Sequence, residues 1–103
     1  MKKLQGYQRK YLRGLAHRLR PIVLIGQKGL SREVLESARE ALEIHELIKV
    51  KFQDVKEKEE KAELSKLLEK ETGAEVVGAI GHTIMVYRQQ SDPEKRKIRL
   101  PKK

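Results

Sequence analysis

Two short strand-like runs separated by one helical stripe constrain the fold of this chain more than any other feature. Ile22-Val23-Leu24-Ile25 is a β-branched run, and Leu47 to Gln53 alternates, with Ile48, Val50 and Phe52 on one face and Lys49 and Lys51 on the other. Between them Val34, Leu35, Ala38, Ala41, Leu42 and His45 form an apolar stripe at helical spacing. The first run reads as a buried strand and the second as a half-buried strand with a basic outer face. Strands joined through a helix imply parallel neighbours and a right-handed crossover.

The flanking sequence extends this pattern. Residues 7 to 19 read as a helix, with Leu12, Leu15 and Leu19 on its apolar side and Arg9, Arg13 and His17 on a cationic one. Pro21 ends it, because proline lacks an amide hydrogen and restricts the residue before it. Ser31 is the expected cap of the second helix, with Leu30 and Leu35 placed to pack as a staple. A third helix begins in the charged run Asp54 to Glu60, with Glu57 and Lys61 paired at i, i+4 and Leu64, Leu67 and Leu68 as its stripe. Gly73 suits its C-terminal end. Two strands, 74–80 and 83–88, meet in a hairpin at Gly81-His82. The expected order is α-β-α-β-α-β-β, an α/β (α+β) sandwich in which three helices pack on a four-stranded mixed sheet. Residues 1–90 form one domain on this reading. Residues 91–103 are a basic C-terminal tail, mobile or docked along an edge.

The charge distribution points to the partner. The chain of 103 residues has a formal net charge of +9. From Met1 to Arg32 there are nine Lys and Arg and no Asp or Glu. Residues 33–75 carry 13 acids against eight bases, and residues 76–103 carry seven bases against two acids. Segregation of this kind suits a polyanion such as nucleic acid. Cysteine is absent, which removes disulfides and thiolate metal sites, and the three histidines (His17, His45, His82) are too far apart for a local metal motif. No apolar run reaches the ~20 residues of a membrane span. The basic start, Met1-Lys2-Lys3, has no apolar stretch behind it as a secretory signal would. The expected compartment is the cytosol.

Gly26-Gln27-Lys28-Gly29 is the sharpest local motif. Its glycines would let backbone amides approach a phosphate, next to the positive end of the second helix. The same spacing also describes an ordinary tight turn. Lys28 and Arg32 flank the loop, and the cationic first helix contributes Arg9, Lys10 and Arg13, with Arg20 beyond it. Gly78-Ala79-Ile80-Gly81 has the same spacing but is apolar inside and precedes no helix, so it reads as a structural strand end. Tyr7, Tyr11 and Tyr87 read as core or rim packing, and His45 as structural, while His17 and His82 are candidates to touch RNA. No pair of catalytic carboxylates, nucleotide-binding loop or metal motif stands out, so the expected protein is not an enzyme and needs no cofactor.

These residues resemble a known family. Gln8-Arg9-Lys10-Tyr11-Leu12-Arg13-Gly14-Leu15-Ala16-His17, Pro21-Ile22-Val23-Leu24-Ile25-Gly26-Gln27-Lys28-Gly29-Leu30, His45 to Lys51, Thr72-Gly73-Ala74, and Ile80-Gly81 through Tyr87-Arg88 resemble the CRM domain (chloroplast RNA splicing and ribosome maturation), above all its stand-alone bacterial YhbY-like form. The resemblance runs from about Leu4 to Pro101. It implies a fold similar to the C-terminal domain of translation initiation factor three, and RNA binding through Gly26, Gln27, Lys28 and Gly29 with a basic surface at Arg9, Arg13, Lys49 and Lys51. It also implies association with precursors of the large ribosomal subunit. Ser31 stands where a threonine is usual, and both can cap. Gly78 stands where a glutamine is commoner.

The expected function is therefore that of a monomeric ribosome assembly factor binding structured RNA, namely ribosomal RNA, with no membrane and no small-molecule substrate. The alternative is non-specific binding of duplex DNA or any polyanion. The expectation carries two structural demands. Arg9, Arg13, Lys28 and Arg32 must share one positive surface, and reversing Arg9 and Arg13 must weaken RNA binding with the fold intact.

Overall fold

The computed structural model describes residues 3–102, so Met1 and Lys2 of the basic start and Lys103 of the tail lie outside the described residues. The chain forms α1 (Gly6–Ala16), β1 (Pro21–Ile25), α2 (Arg32–His45), β2 (Leu47–Phe52), α3 (Lys58–Thr72), β3 (Glu75–Ile80) and β4 (Thr83–Tyr87), then a short 3-10 turn at Pro93–Lys95. The four-stranded sheet has the order β1-β2-β4-β3, with β1 parallel to β2 and both other pairings antiparallel. This is the expected α+β class. One connection differs from expectation. β2 and β3, joined through α3, are not neighbours, because β4 folds back from the hairpin and inserts between them.

The local signals explain most boundaries. The Ser31 hydroxyl accepts the Val34 amide at 3.2 Å and starts α2. Gly73, at φ +75°, ends α3 in the left-handed conformation that glycine adopts without strain. α1 stops at Ala16, three residues earlier than expected, since Arg20 precedes a proline and is biased away from helix. Glu57 and Lys61 do not pair side chain to side chain. Lys61 Nζ instead donates to His82 Nδ1, which ties α3 to the β3–β4 hairpin.

Both sheet faces are covered, each by a different core. Ile48, Val50 and Phe52 of β2 join Val23, Ile25, Ala38, Leu42, Leu68, Ile84 and Val86 beneath α2 and α3. On the opposite face Leu12 and Ala16 of α1 pack with Leu47, Val77, Met85 and Tyr87. Ile98 and Leu100 also pack there, so the segment after β4 is docked. β1 is an edge strand and not a buried one: Val23 and Ile25 point inward while Ile22 and Leu24 are exposed.

One buried carboxylate fastens the docked segment. Glu46, fully buried between α2 and β2, accepts the amides of Gln90 (2.7 Å), Lys97 (2.7 Å) and Ile98 (2.9 Å). Nearby, the Tyr87 hydroxyl is buried with no hydrogen-bond partner among the described residues. Burial pushes its pKa from 10.0 up to about 12; the Glu46 charge adds to the rise and Arg96 opposes it. Because the folded state holds this proton more tightly than the unfolded chain does, the associated stability is complete below pH 10 and is lost as pH rises from 10 to 12. Tyr87→Phe removes an unsatisfied buried hydroxyl and should raise stability by about 1 kcal/mol. Urea unfolding at about pH 8 and about pH 11 should show that gain, with a smaller alkaline loss than the parent.

Candidate nucleic-acid interface

The sorting of charge along the sequence becomes a sorting in space. Helices α2 and α3, on one side of the sheet, hold nine of the chain's 15 acids, and α1 on the other side holds none. At the C-terminal end of β1 the chain makes a tight turn in which the Gly29 amide donates to the Gly26 carbonyl at 3.0 Å. Gly29 sits at φ +70°, where a side chain would be strained. Gln27 and Lys28 are exposed, and their amides donate to no described protein atom. Two unspent amide donors beside an unpaired Lys28 and the start of α2 give the loop the chemistry of an anion cradle.

From the loop, a row of side chains crosses the open part of the α1 face. Leu24 pairs in register with Lys51, Lys51 with Thr83, and Thr83 with Ile80. Leu24 and Ile80 are exposed, Lys51 is exposed and unpaired, and no acid stands in the row. Ile80 also lines a groove between α1 and the end of β3, whose rim is Lys10, Arg13, His17 and Arg18 and whose floor includes Gly14, Ala79 and Met85. Loop, row and groove thus follow one another across the sheet from the β1 edge to the β3 edge, with no Asp or Glu among these residues.

The expected binding residues divide by what they already hold. Arg9 donates to the Leu4 carbonyl (2.9 Å) and to Glu75 (3.0 Å) at the start of β3. Arg13 lies across Gly78 and donates to the Val77 carbonyl at 3.0 Å. Lys49 donates to the His17 carbonyl at 3.3 Å, bracing the end of α1, and Arg32 pairs with Glu36 at 3.2 Å. Lys10, Arg20, Lys28 and Lys51 are exposed and carry no ion pair among the described residues. The demand for one shared surface is not met. Arg9 sits against β3 at one edge of the sheet, while Lys28 and Arg32 follow β1 at the other. Arg9 and Arg13 also tie α1 to β3, so the structure argues against reversing them with the fold left intact.

Two further corrections concern packing. Arg9, Leu12, Arg13 and Ala16 share the inner face of α1, so Leu15, expected in the core, is exposed, and Leu19, beyond the end of the helix, is exposed as well. Of the tyrosines expected in the core or at its rim, Tyr87 is fully buried, and Tyr7 and Tyr11 lie at the rim, partly exposed beside Leu15 and Pro101. Gly78 has a structural reason: a Cβ there would lie 2.7 Å from Cδ and 2.9 Å from Cγ of Arg13. Arg18 joins the site without having been expected there; its position one residue after His17 on a cationic helix end is the signal that could have found it. His82, engaged with Lys61, and the exposed His45 at the end of α2 add no ligand cluster. Among the described residues no group of three His, Asp or Glu could hold a metal, and no helix is long and apolar enough to cross a membrane.

Comparison with known proteins agrees with this architecture. Residues 4–88 match the family model of the CRS1 / YhbY (CRM) domain. The chain belongs to the CRM domain family. This CRM domain is 41% identical over 103 residues to a Haemophilus influenzae protein named RNA-binding protein, with both chains covered in full. It is 37% identical over 98 residues to Probable RNA-binding protein YqeI of Bacillus subtilis, covering 95% of this chain and 99% of that one. The solution structure of the hypothetical protein SAV1595 from Staphylococcus aureus superposes with a TM-score of 0.80 at 35% identity, covering 96% of this chain and 100% of that one. The fold and family expected from the sequence therefore stand, and the relatives with assigned names are named for RNA binding.

Proposed function

We propose that this CRM domain binds structured RNA, with ribosomal RNA of a large subunit under assembly as its target, and that it acts as a non-catalytic, monomeric cytosolic factor. The RNA backbone enters at Gly26-Gln27-Lys28-Gly29, where the free amides of residues 27 and 28 and the Lys28 ammonium meet a phosphate. It then crosses the Lys51 row and reaches the Lys10–Arg18 groove. The observation that carries this reading is that loop, row and groove follow one another across the sheet with no acid among their residues. Arg9, Arg13 and Lys49 serve it by fixing α1 on the sheet, with Arg13 also on the groove's rim. Arg32 beside the loop is paired with Glu36, and Arg20 precedes β1; both add to the general field that draws a polyanion in. The names of the relatives support RNA over other polyanions. Competition between a structured fragment of large-subunit ribosomal RNA and duplex DNA at about 0.15 M salt tests the proposal, since a protein that reads only charge density binds both alike.

A further inference from the structure

The docked C-terminal segment and the outer face of α1 meet along a seam that adjoins the far end of that path at Lys10 and Gly14. After the 3-10 turn the segment alternates, with Ile98 and Leu100 directed into the second core and Lys97, Arg99 and Lys102 exposed. None of those three basic side chains has an ion pair among the described residues. Pro101 lies against α1 in a shallow concavity with Tyr7, Lys10, Tyr11, Gly14 and Leu15. One adjoining concavity shares Pro101 with it and another shares Tyr7, and those two meet each other at Gln8, Gln89 and Leu100. No Asp or Glu lines any of the three.

Two tyrosines one helical turn apart, 36% and 42% exposed, are therefore flanked by cations with no acid beside them. An aromatic ring at the surface offers a flat apolar face to a nucleobase, and successive bases of an unpaired strand stack on such rings with little regard to sequence. Double-stranded RNA hides its base faces, so only an unpaired stretch can use them. A protein partner for an acid-free cationic strip would have to be strongly acidic. RNA supplies both the charge and the flat rings.

We propose that the seam between α1 and the docked C-terminal segment is a second RNA-binding surface, which takes an unpaired stretch of the bound RNA. Bases stack on Tyr7 and Tyr11, while phosphates follow Lys10, Arg99 and Lys102. Glu46 is the positioning residue: the three amides it accepts convert a basic tail into an ordered wall. The inference rests on the RNA-binding reading above and extends it from a backbone cradle to the recognition of unpaired bases.

The test uses the full chain, a hairpin RNA with a single-stranded loop of roughly ten nucleotides, and a fully paired duplex of the same stem. The chain has no Trp and three Tyr, one of them the buried Tyr87, so tyrosine emission reports on the seam. The hairpin should quench that emission and the duplex should not. Tyr7→Ala with Tyr11→Ala should abolish the quench and weaken hairpin binding about tenfold. Lys97→Glu with Arg99→Glu and Lys102→Glu should flatten the salt dependence by about 0.7 log unit per log unit of salt for each phosphate that the variant no longer neutralises. Lys28→Glu, at the loop, should weaken binding and leave the quench in place. Lys28, Lys97, Arg99 and Lys102 are exposed, so the melting temperatures of the charge variants should hold, and the tyrosine variant is compared at temperatures where it is fully folded. Hairpin binding without a quench, together with an unchanged salt slope in the tail variant, overturns the seam and leaves the RNA reading standing. No binding to either RNA overturns both.

Discussion

Glu46→Ala should cost about 4 kcal/mol of folding stability and release the chain that follows Tyr87. The carboxylate is fully buried, and both its oxygens are spent on backbone: Oε2 on Gln90, Oε1 on Lys97 and Ile98. Charge-assisted bonds of this kind contribute about 1.5–3 kcal/mol each, and an amide left buried without an acceptor costs about 1–3 kcal/mol. Swinging the segment into water rehydrates those amides and so relieves part of the loss. It also exposes Ile98 and Leu100, which forfeits apolar burial of roughly 1.5–3 kcal/mol per fully buried side chain. Glu46→Gln keeps two acceptor lone pairs but turns an NH2 toward an amide, so it should fall between the parent and the alanine variant. Urea unfolding gives the stability, and hydrogen exchange at the amides of residues 90, 97 and 98 reports the release. An unchanged urea midpoint with protected amides would mean that the clamp is incidental.

Arg9→Glu with Arg13→Glu should unfold about 2–4 kcal/mol more easily than the parent, and so cannot serve as a clean test of RNA contact. Arg9 joins Glu75 and the Leu4 carbonyl, and its replacement would set two carboxylates side by side. Arg13 runs along the face of Gly78, with its guanidinium on the Val77 carbonyl and its stem against the glycine's bare Cα. A glutamate there loses the donor and much of the apolar stem. Arg13→Met, which keeps the stem alone, should retain more of the fold than Arg13→Glu. Thermal unfolding of the three variants checks the order. Equal stability for parent and double variant would return both arginines to the free cationic surface.

These two cases also show why some of this protein is legible in its sequence and some is not. Strand β2 is legible because Ile48, Val50 and Phe52 meet the first core while Lys49 and Lys51 face the side that α1 covers only in part, so burial alternates with the pleat. Ser31 and Gly73 are legible because their roles depend only on neighbouring backbone. β1 is harder, because a β-branched run looks the same with one face covered as with two. On α1, leucine spacing points to Leu15 and Leu19, but the inner face takes Leu12 and Ala16 together with the stems of two arginines whose charges meet β3. Glu46 is invisible in sequence, because its partners lie 44 to 52 residues away and are backbone amides, which have no residue identity. The glycine loop is visible as a motif, and what the fold adds is that its middle amides are unspent. Tyr7 and Tyr11 look too few in sequence to form a stacking surface, although their i, i+4 spacing already places them on one helix face.

On the proposed function, the cationic side of the sheet recognises RNA rather than charge in general. The most direct measurement is an equilibrium competition at about 0.15 M salt, repeated at roughly 0.05 M, between a labelled fragment of large-subunit ribosomal RNA and unlabelled duplex DNA of matched length. The DNA should displace the RNA only at about tenfold or greater excess, with that preference surviving at the higher salt, where purely ionic binding weakens most. Displacement at equal concentrations under both conditions would contradict it.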